Sequence, residues 1–328
     1  MRYKILICTA LSLFGLTAVA QKQQAKPVSI IFDSDIGPDY DDAGAITLLH
    51  ALADNGEAKI LATIASNKYE GIAAVLNVFN TYFNRPEIPI GVPKGDGVDM
   101  RDSQHWTDIL TSKYPHNITL NAEVPDAIKV YRKVLAAQPD HSVTIVTVGF
   151  ITNLSNLLVS PKDEFSALNG RDLVQKKVKR LVTMGGAFPS GKEFNLEKDA
   201  KASKLALENW PTQVIFSGFE IGAKIKTGLE LINNSQLQSP AKDAFRVAMS
   251  KAPEDAAGRM SWDEVTTLVA VRGYNKFYKL RTGKIKINAD GSNTWDGNVK
   301  GQCYLVAKVA PEQVGKVLSK LMMQQPEK

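Results

Sequence analysis

Between positions 33 and 42 half of the residues are aspartate: Asp33, Asp35, Asp39, Asp41 and Asp42. They follow the apolar run VSIIF (28–32) and lead into a second apolar stretch at 43–49. Carboxylates crowded this closely repel one another, and each is pushed toward its protonated form. Folding gains nothing from such crowding, whereas a bound cation inverts the local electrostatics. Gly37-Pro38 turns the chain between the two halves of the cluster, and Pro38 keeps Gly37 out of helix. Carboxylates from both sides of that turn can therefore converge on one hard cation. Calcium suits them best, since it takes roughly 6–8 oxygen ligands in irregular geometry. Helix caps and solvated loop acids would explain one such aspartate, not five.

The elements that position this cluster are legible as alternating runs. Residues 28–32, 59–65, 88–92, 142–148, 178–184 and 212–218 are short and apolar, and predict buried strands. Between them 42–54, 70–84, 124–138, 151–159 and 198–209 carry apolar residues at helical spacing, as does 263–272 further on. Strand and helix alternating in this way predict an α/β fold, a mostly parallel sheet with helices on both faces. Ligands in such sheets sit at the carboxyl ends of the strands, and the aspartates follow one such end. Toward the C-terminus 283–309 predicts a hairpin turning at Asp290-Gly291, and 311–323 an amphipathic helix. These are expected to be a small peripheral addition to a single domain spanning 27–328.

The first twenty residues differ in kind. Arg2 and Lys4 precede the apolar stretch 5–19, and Ala18-Val19-Ala20 forms a small-residue cleavage site. This predicts a secretory signal peptide over 1–20, hence an exported protein, periplasmic or secreted, with no membrane contact after cleavage. Cys8 would leave with it, and Cys303 alone forms no internal disulfide. Without Arg2 and Lys4 the 40 basic residues still outnumber the 34 acidic ones, by about four. The basic residues are scattered. The densest run, QKKVKR at 175–180, leads into a strand rather than lining an aromatic groove, which argues against a nucleic-acid partner.

DSDIGPDYDDAGAI (33–46) resembles the opening signature of the inosine–uridine-type nucleoside hydrolases, an Asp-x-Asp-x-Gly loop closing on an Asp-Asp pair. Two extra residues separate Gly37 from the pair here, which leaves the register of Asp39 against Asp41 open; the pair is carried over as Asp41-Asp42. The resemblance continues through IASNKYEGIAAVLNVFN (64–80), VTVGFITNLSNLL (146–158), VTMGGAFPSGKEFNLEKDAKAS (182–203) and SWDEVTTLVAV (261–271). Four further motifs in the family's order are far more specific than the first, whose Asp-x-Asp core recurs in unrelated phosphatases.

The resemblance implies a Rossmann-related fold and calcium-dependent hydrolysis of the N-glycosidic bond of ribonucleosides, giving free base and ribose. It implies calcium held by Asp35, Asp42, the Val148 carbonyl and Asp263, with Asp35 also the general base toward the attacking water. Asp41, Glu193 and Asn195 would bind ribose hydroxyls, while Asn67 and Met184 would line the pocket. Such enzymes are commonly homo-oligomers, dimers or tetramers. The chemistry agrees, since cleavage develops oxocarbenium character that anionic surroundings stabilise. Many members place a histidine before the last metal aspartate to protonate the departing base; this chain has Trp262. That Trp-Asp pair is similar to the purine-preferring branch, in which aromatic rings sandwich the base. Trp106 is the expected second ring, and His105 the one histidine expected to reach the pocket. Two other readings compete: a non-catalytic exported nucleoside- or sugar-binding protein on the same fold, and a magnesium-dependent phosphatase using the first aspartate of FDSD.

Overall fold

The computed structural model describes residues 26–327; the expected signal peptide lies outside them. From the N-terminus the elements are β1 (Val28–Ser34), α1 (Asp41–Asp54), β2 (Ala58–Ala65), α2 (Ile72–Tyr82), β3 (Ile90–Gly91), α3 (Trp106–Lys113) and α4 (Ala127–Ala136). Next come β4 (Val143–Thr147), α5 (Thr152–Val159), α6 (Gly170–Lys177), β5 (Val178–Met184), β6 (Ser190–Gly191), α7 (Phe194–Lys198), α8 (Ala200–Asn209) and β7 (Gln213–Ser217). The last third holds α9 (Phe219–Gly222), β8 (Lys226–Thr227), α10 (Leu229–Asn233), α11 (Pro240–Met249), β9 (Arg259–Met260) and α12 (Trp262–Arg272). It ends with β10 (Tyr278–Ile287), β11 (Asn293–Asp296), β12 (Gln302–Ala307) and α13 (Pro311–Met322).

The main sheet runs β3-β2-β1-β4-β5-β7-β12-β10-β11-β6. The strands from β3 through β12 are parallel, and the pairs beyond β12 are antiparallel. This is the expected α/β architecture. Its apolar strands alternate between two cores. Ile30, Phe32, Val146 and Val182 join the core under α1, α2 and α12, while Ile31, Ile145, Leu181 and Val214 join the one under α4, α5 and α8. Strand order reverses between β1 and β4, so their carboxyl ends flank a topological switch point, where such sheets open a crevice.

The C-terminal hairpin is not the peripheral addition its composition suggests. The chain does turn at Gly291, whose φ of +80° suits glycine. But β12 pairs in parallel with β7 and carries β10 and β11 into the main sheet, and α13 packs against α1. Helices α3, α6, α7, α9, α10 and α11 were also not expected from the sequence.

Candidate active site

The carboxyl end of β1 delivers Asp35 to the switch point. Ser34 donates to Asp42 Oδ1 at 2.6 Å and accepts from the Ile36 amide at 3.1 Å, tying the strand end to the first turn of α1. The Tyr69 hydroxyl donates to the Ile36 carbonyl at 2.8 Å. Its ring lies so close to Gly37 that a Cβ there would meet Tyr69 Cε1 at 2.7 Å, which explains a glycine at this turn. Gly149, just past β4, allows a second close approach. A Cβ at that position would stand 2.3 Å from the Asp35 amide and 2.6 Å from its Oδ1. Gly149→Ala is therefore expected to shift Asp35 and lower kcat at least tenfold, with an overpacking cost of about 1–3 kcal/mol in a thermal melt. An unchanged kcat would mean that Asp35 tolerates displacement.

Asp35, Asp41, Asp42 and Asp263 line one cavity of about 80 Å³, together with Asp39, Val148, Met184, Glu193, Asn195 and Trp262. Burial, and next the charge of Asp42, drives the Asp35 carboxyl well above the usual carboxylate range. Asp42 is raised by burial and by Asp41, and Asp263 by burial and then by Asp41, Asp42 and Asp35. Asp42 Oδ2 is buried with no hydrogen-bond partner. Among the described residues no three acidic, histidine or cysteine side chains form a ready-made cation cage. The donor set nonetheless fits a hard cation, because crowded buried carboxylates with an orphaned oxygen lack only the compensating positive charge.

The residues expected on the ribose side also meet here. Glu193 caps α7, accepting from the Asn195 amide at 2.7 Å and the Leu196 amide at 3.2 Å, and its Oε2 accepts from the Gly186 amide at 3.0 Å. Burial still pushes its carboxyl up to about 7. Asn195 Nδ2 donates to the Val148 carbonyl at 3.2 Å and approaches Met184 Sδ at 3.4 Å.

Three placements differ from expectation. Asn67 is not among the residues lining this cavity. Its Nδ2 donates to the Asp35 and Met100 carbonyls and its Oδ1 accepts from the Met100 amide, lashing the Asp35 loop to the segment near Met100. Trp106 is fully buried in the core beneath α1 and α2, and does not line the carboxylate cavity. A tryptophan opening a short amphipathic helix has large apolar area to bury, and that outweighed any exposed role. His105 points outward, 64% exposed and paired with Asp108, so it does not take up the acid's place. Asp33, the first of the five aspartates, faces away from the cavity. It accepts from the Tyr131 hydroxyl at 2.6 Å and from Asn153 at 3.1 Å.

The ring that packs on Trp262 is Phe219, which starts α9 and lines the cavity together with Phe194. Its ring lies 5.3 Å from that of Trp262 at 30°, and its carbonyl accepts from Trp262 Nε1 at 2.8 Å. Centroids that close leave no gap for a third ring, so the two form one aromatic wall rather than a clamp. Sequence reasoning missed Phe219, although an aromatic directly after a strand's carboxyl end was the available signal. It also missed Arg259, which ion-pairs with Asp39 at 2.6 Å and with Asp41 at 2.9 Å. The guanidinium stands over the rings of Tyr40 and Trp262, at 4.8 and 5.2 Å. Asp41 is thus buried against an arginine, and Asp39 is the more exposed partner. With Met100, Arg101 and Ser103, Arg259 lines a wider opening of about 500 Å³ that shares Asp39, Phe194 and Trp262 with the carboxylate cavity.

Residues 30–315 match the family model described as inosine-uridine preferring nucleoside hydrolase. No curated protein sequence matches significantly. Among solved structures, the plant nucleoside hydrolase PpNRh1 superposes with a TM-score of 0.68 at 19% identity, over 90% of this chain and 99% of that one. A purine-preferring ribonucleoside hydrolase from Gardnerella vaginalis gives 0.67 at 15%, over 90% and 98%. An inosine-uridine preferring nucleoside hydrolase from Bacillus anthracis gives 0.67 at 13%, over 90% and 99%. At such identities these likenesses speak for the fold.

Proposed function

The chain belongs to the inosine-uridine preferring nucleoside hydrolase family, and from that premise we propose a calcium-dependent, purine-preferring nucleoside N-ribohydrolase that works after export. The observation that carries this reading is a set of four buried aspartates on one cavity beside an aromatic wall, three of them pressed by like charge and Asp41 held against Arg259. Asp35, Asp42, Asp263 and the Val148 carbonyl are the residues that would hold calcium. When bound, the cation offsets the carboxylate charge and makes water a readier proton donor.

The chain's own residues supply the remaining steps. Asp35 takes the proton of the attacking water. Asp41, Glu193 and Asn195 receive the ribose hydroxyls, and the surrounding negative charge stabilises the oxocarbenium-like sugar. The pair Trp262–Phe219 then offers a face for the base. Purines carry a basic ring nitrogen that can be protonated from water, and stacking on indole stabilises the resulting cation.

Inosine and guanosine should accordingly be cleaved much faster than uridine. Stacking contributes roughly 1–3 kcal/mol per base, and only the part realised in the transition state raises kcat. Trp262→Ala should cut kcat/KM for inosine about tenfold to a hundredfold, and Phe219→Ala should lower it in the same direction. Neither should much affect a nitrophenyl riboside, whose leaving group needs no assistance. Uridine cleaved as fast as inosine by the wild type would overturn the stacking account. The nucleoside-binding and phosphatase alternatives are separated by one panel: free ribose released from nucleosides, beside phosphate released from phosphate esters. Ribose alone is expected.

A further inference from the structure

Among the described residues, Arg259 is the one cation that ion-pairs with aspartates of the carboxylate cavity. Its backbone is set by a scaffold separate from theirs. Gly258, at φ +104°, turns the chain into β9, where Arg259 pairs with Thr227 of β8. A Cβ at Gly258 would meet the Thr227 carbonyl at 2.9 Å, so this turn requires glycine. The Thr227 and Ser261 hydroxyls share a hydrogen bond of 2.8 Å that closes the arm. From there the buried guanidinium reaches back to the start of α1. Nε and Nη2 both donate to Asp41 Oδ1, at 3.2 and 2.9 Å, and Nη2 donates to Asp39 Oδ1 at 2.6 Å. Nη1 donates to Asp255 Oδ2 at 3.4 Å, and the same oxygen accepts from the Tyr40 hydroxyl at 2.6 Å.

Two features of this grip go beyond offsetting charge. Both contacts to Asp41 fall on a single oxygen, which leaves Oδ2 for the cavity that Asp41 lines. Asp41 is also the foremost like charge acting on Asp42 and on Asp263. Left to itself, its carboxylate would be driven away from both. A planar fork fixes direction as well as distance, which a point charge does not. We propose that Arg259 is a positioning residue, holding the Asp41 carboxylate at the angle from which Oδ2 accepts from a ribose hydroxyl. The inference rests on the nucleoside hydrolase reading, and ties its sugar site to the β8–β9 arm. Two other roles make different demands. A guanidinium that only offsets charge is replaceable by lysine. One that touches the base from the wider opening, or that braces Trp262, matters only for substrates carrying a base.

The test compares kcat/KM on inosine and on nitrophenyl riboside with calcium present, beside calorimetric titration of both compounds. Arg259→Gln should lower kcat/KM about tenfold to a hundredfold on both, since misplacing a binding group by about 1 Å can cost that much. Arg259→Lys should recover little of the loss. In an Asp41→Asn background the carboxylate that Arg259 orients is gone, and Arg259→Gln should there cost less than about twofold more. Losses that multiply in the double variant, full recovery by lysine, or a loss confined to inosine would each overturn the proposal and leave the hydrolase reading standing. If Arg259→Gln does not fold, Arg259→Lys carries the same cycle. A wild type that binds inosine and releases no ribose would sink the hydrolase reading; the cycle, read in Kd for the two compounds, then decides the role of the arginine.

Discussion

Asp35→Asn is expected to keep its fold and lose at least about a hundredfold in kcat on every substrate. Asparagine matches the shape of aspartate but accepts no proton, and general-base assistance is worth about 10²–10⁴ in rate. The position is specified by three surroundings: Ser34 against Asp42, Tyr69 against Ile36, and the bare face of Gly149. None of these depends on the carboxylate being charged, so the amide variant should pack normally. Loss of that charge also relieves like-charge pressure on Asp263, whose carboxyl is raised partly by Asp35, and on Asp42, whose own charge presses on Asp35. The thermal midpoint without calcium should therefore be unchanged or slightly higher. The loss should extend to nitrophenyl riboside, because a good leaving group does not replace the base; this separates Asp35→Asn from Trp262→Ala. Near-normal kcat on either substrate would remove Asp35 from the role.

Calcium should raise the thermal midpoint by several degrees, and chelation should abolish ribose release. A ligand bound only by the native state at a hundred times its Kd adds about 2.7 kcal/mol of stability. In a domain of about 300 residues each kcal/mol is worth roughly 1.5–2 °C. The folded protein holds Asp35, Asp42 and Asp263 buried together, an arrangement absent from the unfolded chain, so binding and folding are coupled. Asp263→Asn should lose most of the calcium response while melting without calcium much like the wild type. A midpoint indifferent to chelator and to added calcium, with no metal found by elemental analysis, would exclude the site.

Much of this architecture was legible because parallel strands covered on both faces must be apolar throughout. The runs at 142–148 and 178–184 declare themselves as β4 and β5 nearly residue for residue. The placing of β12 was not legible. Its partner β7 lies far back in the chain, and nothing local in QCYLVA distinguishes a core strand from one arm of a free hairpin. At the site, the cluster at 33–42 was readable from its mutual repulsion, whereas Asp263 was legible only through the family resemblance. Trp106 misled because an indole beside a histidine has the same composition in a core as in a pocket. Arg259 was unreadable for a different reason. Its reach depends on the β8–β9 pairing and on Gly258, at φ +104°, neither of which leaves a periodic trace.

The Glu193 loop is held by strands made much later in synthesis. Ser190 and Gly191 pair with Thr294 and Asn293, and the Asn293 side chain both accepts from and donates to the Ala187 backbone at 2.9 Å. While the ribosome is still producing the middle of the chain, this loop has no anchor. The flank of β7 that later receives β12 is then an open row of backbone donors and acceptors along Val214, Ile215 and Phe216. An open apolar edge of that kind invites pairing with other chains. A chain threaded outward from its N-terminus would meet this hazard until residues 302–307 arrive. Point changes in the hairpin, far from the aspartates, should therefore reduce the yield of folded protein more than they alter the turnover of molecules that do fold.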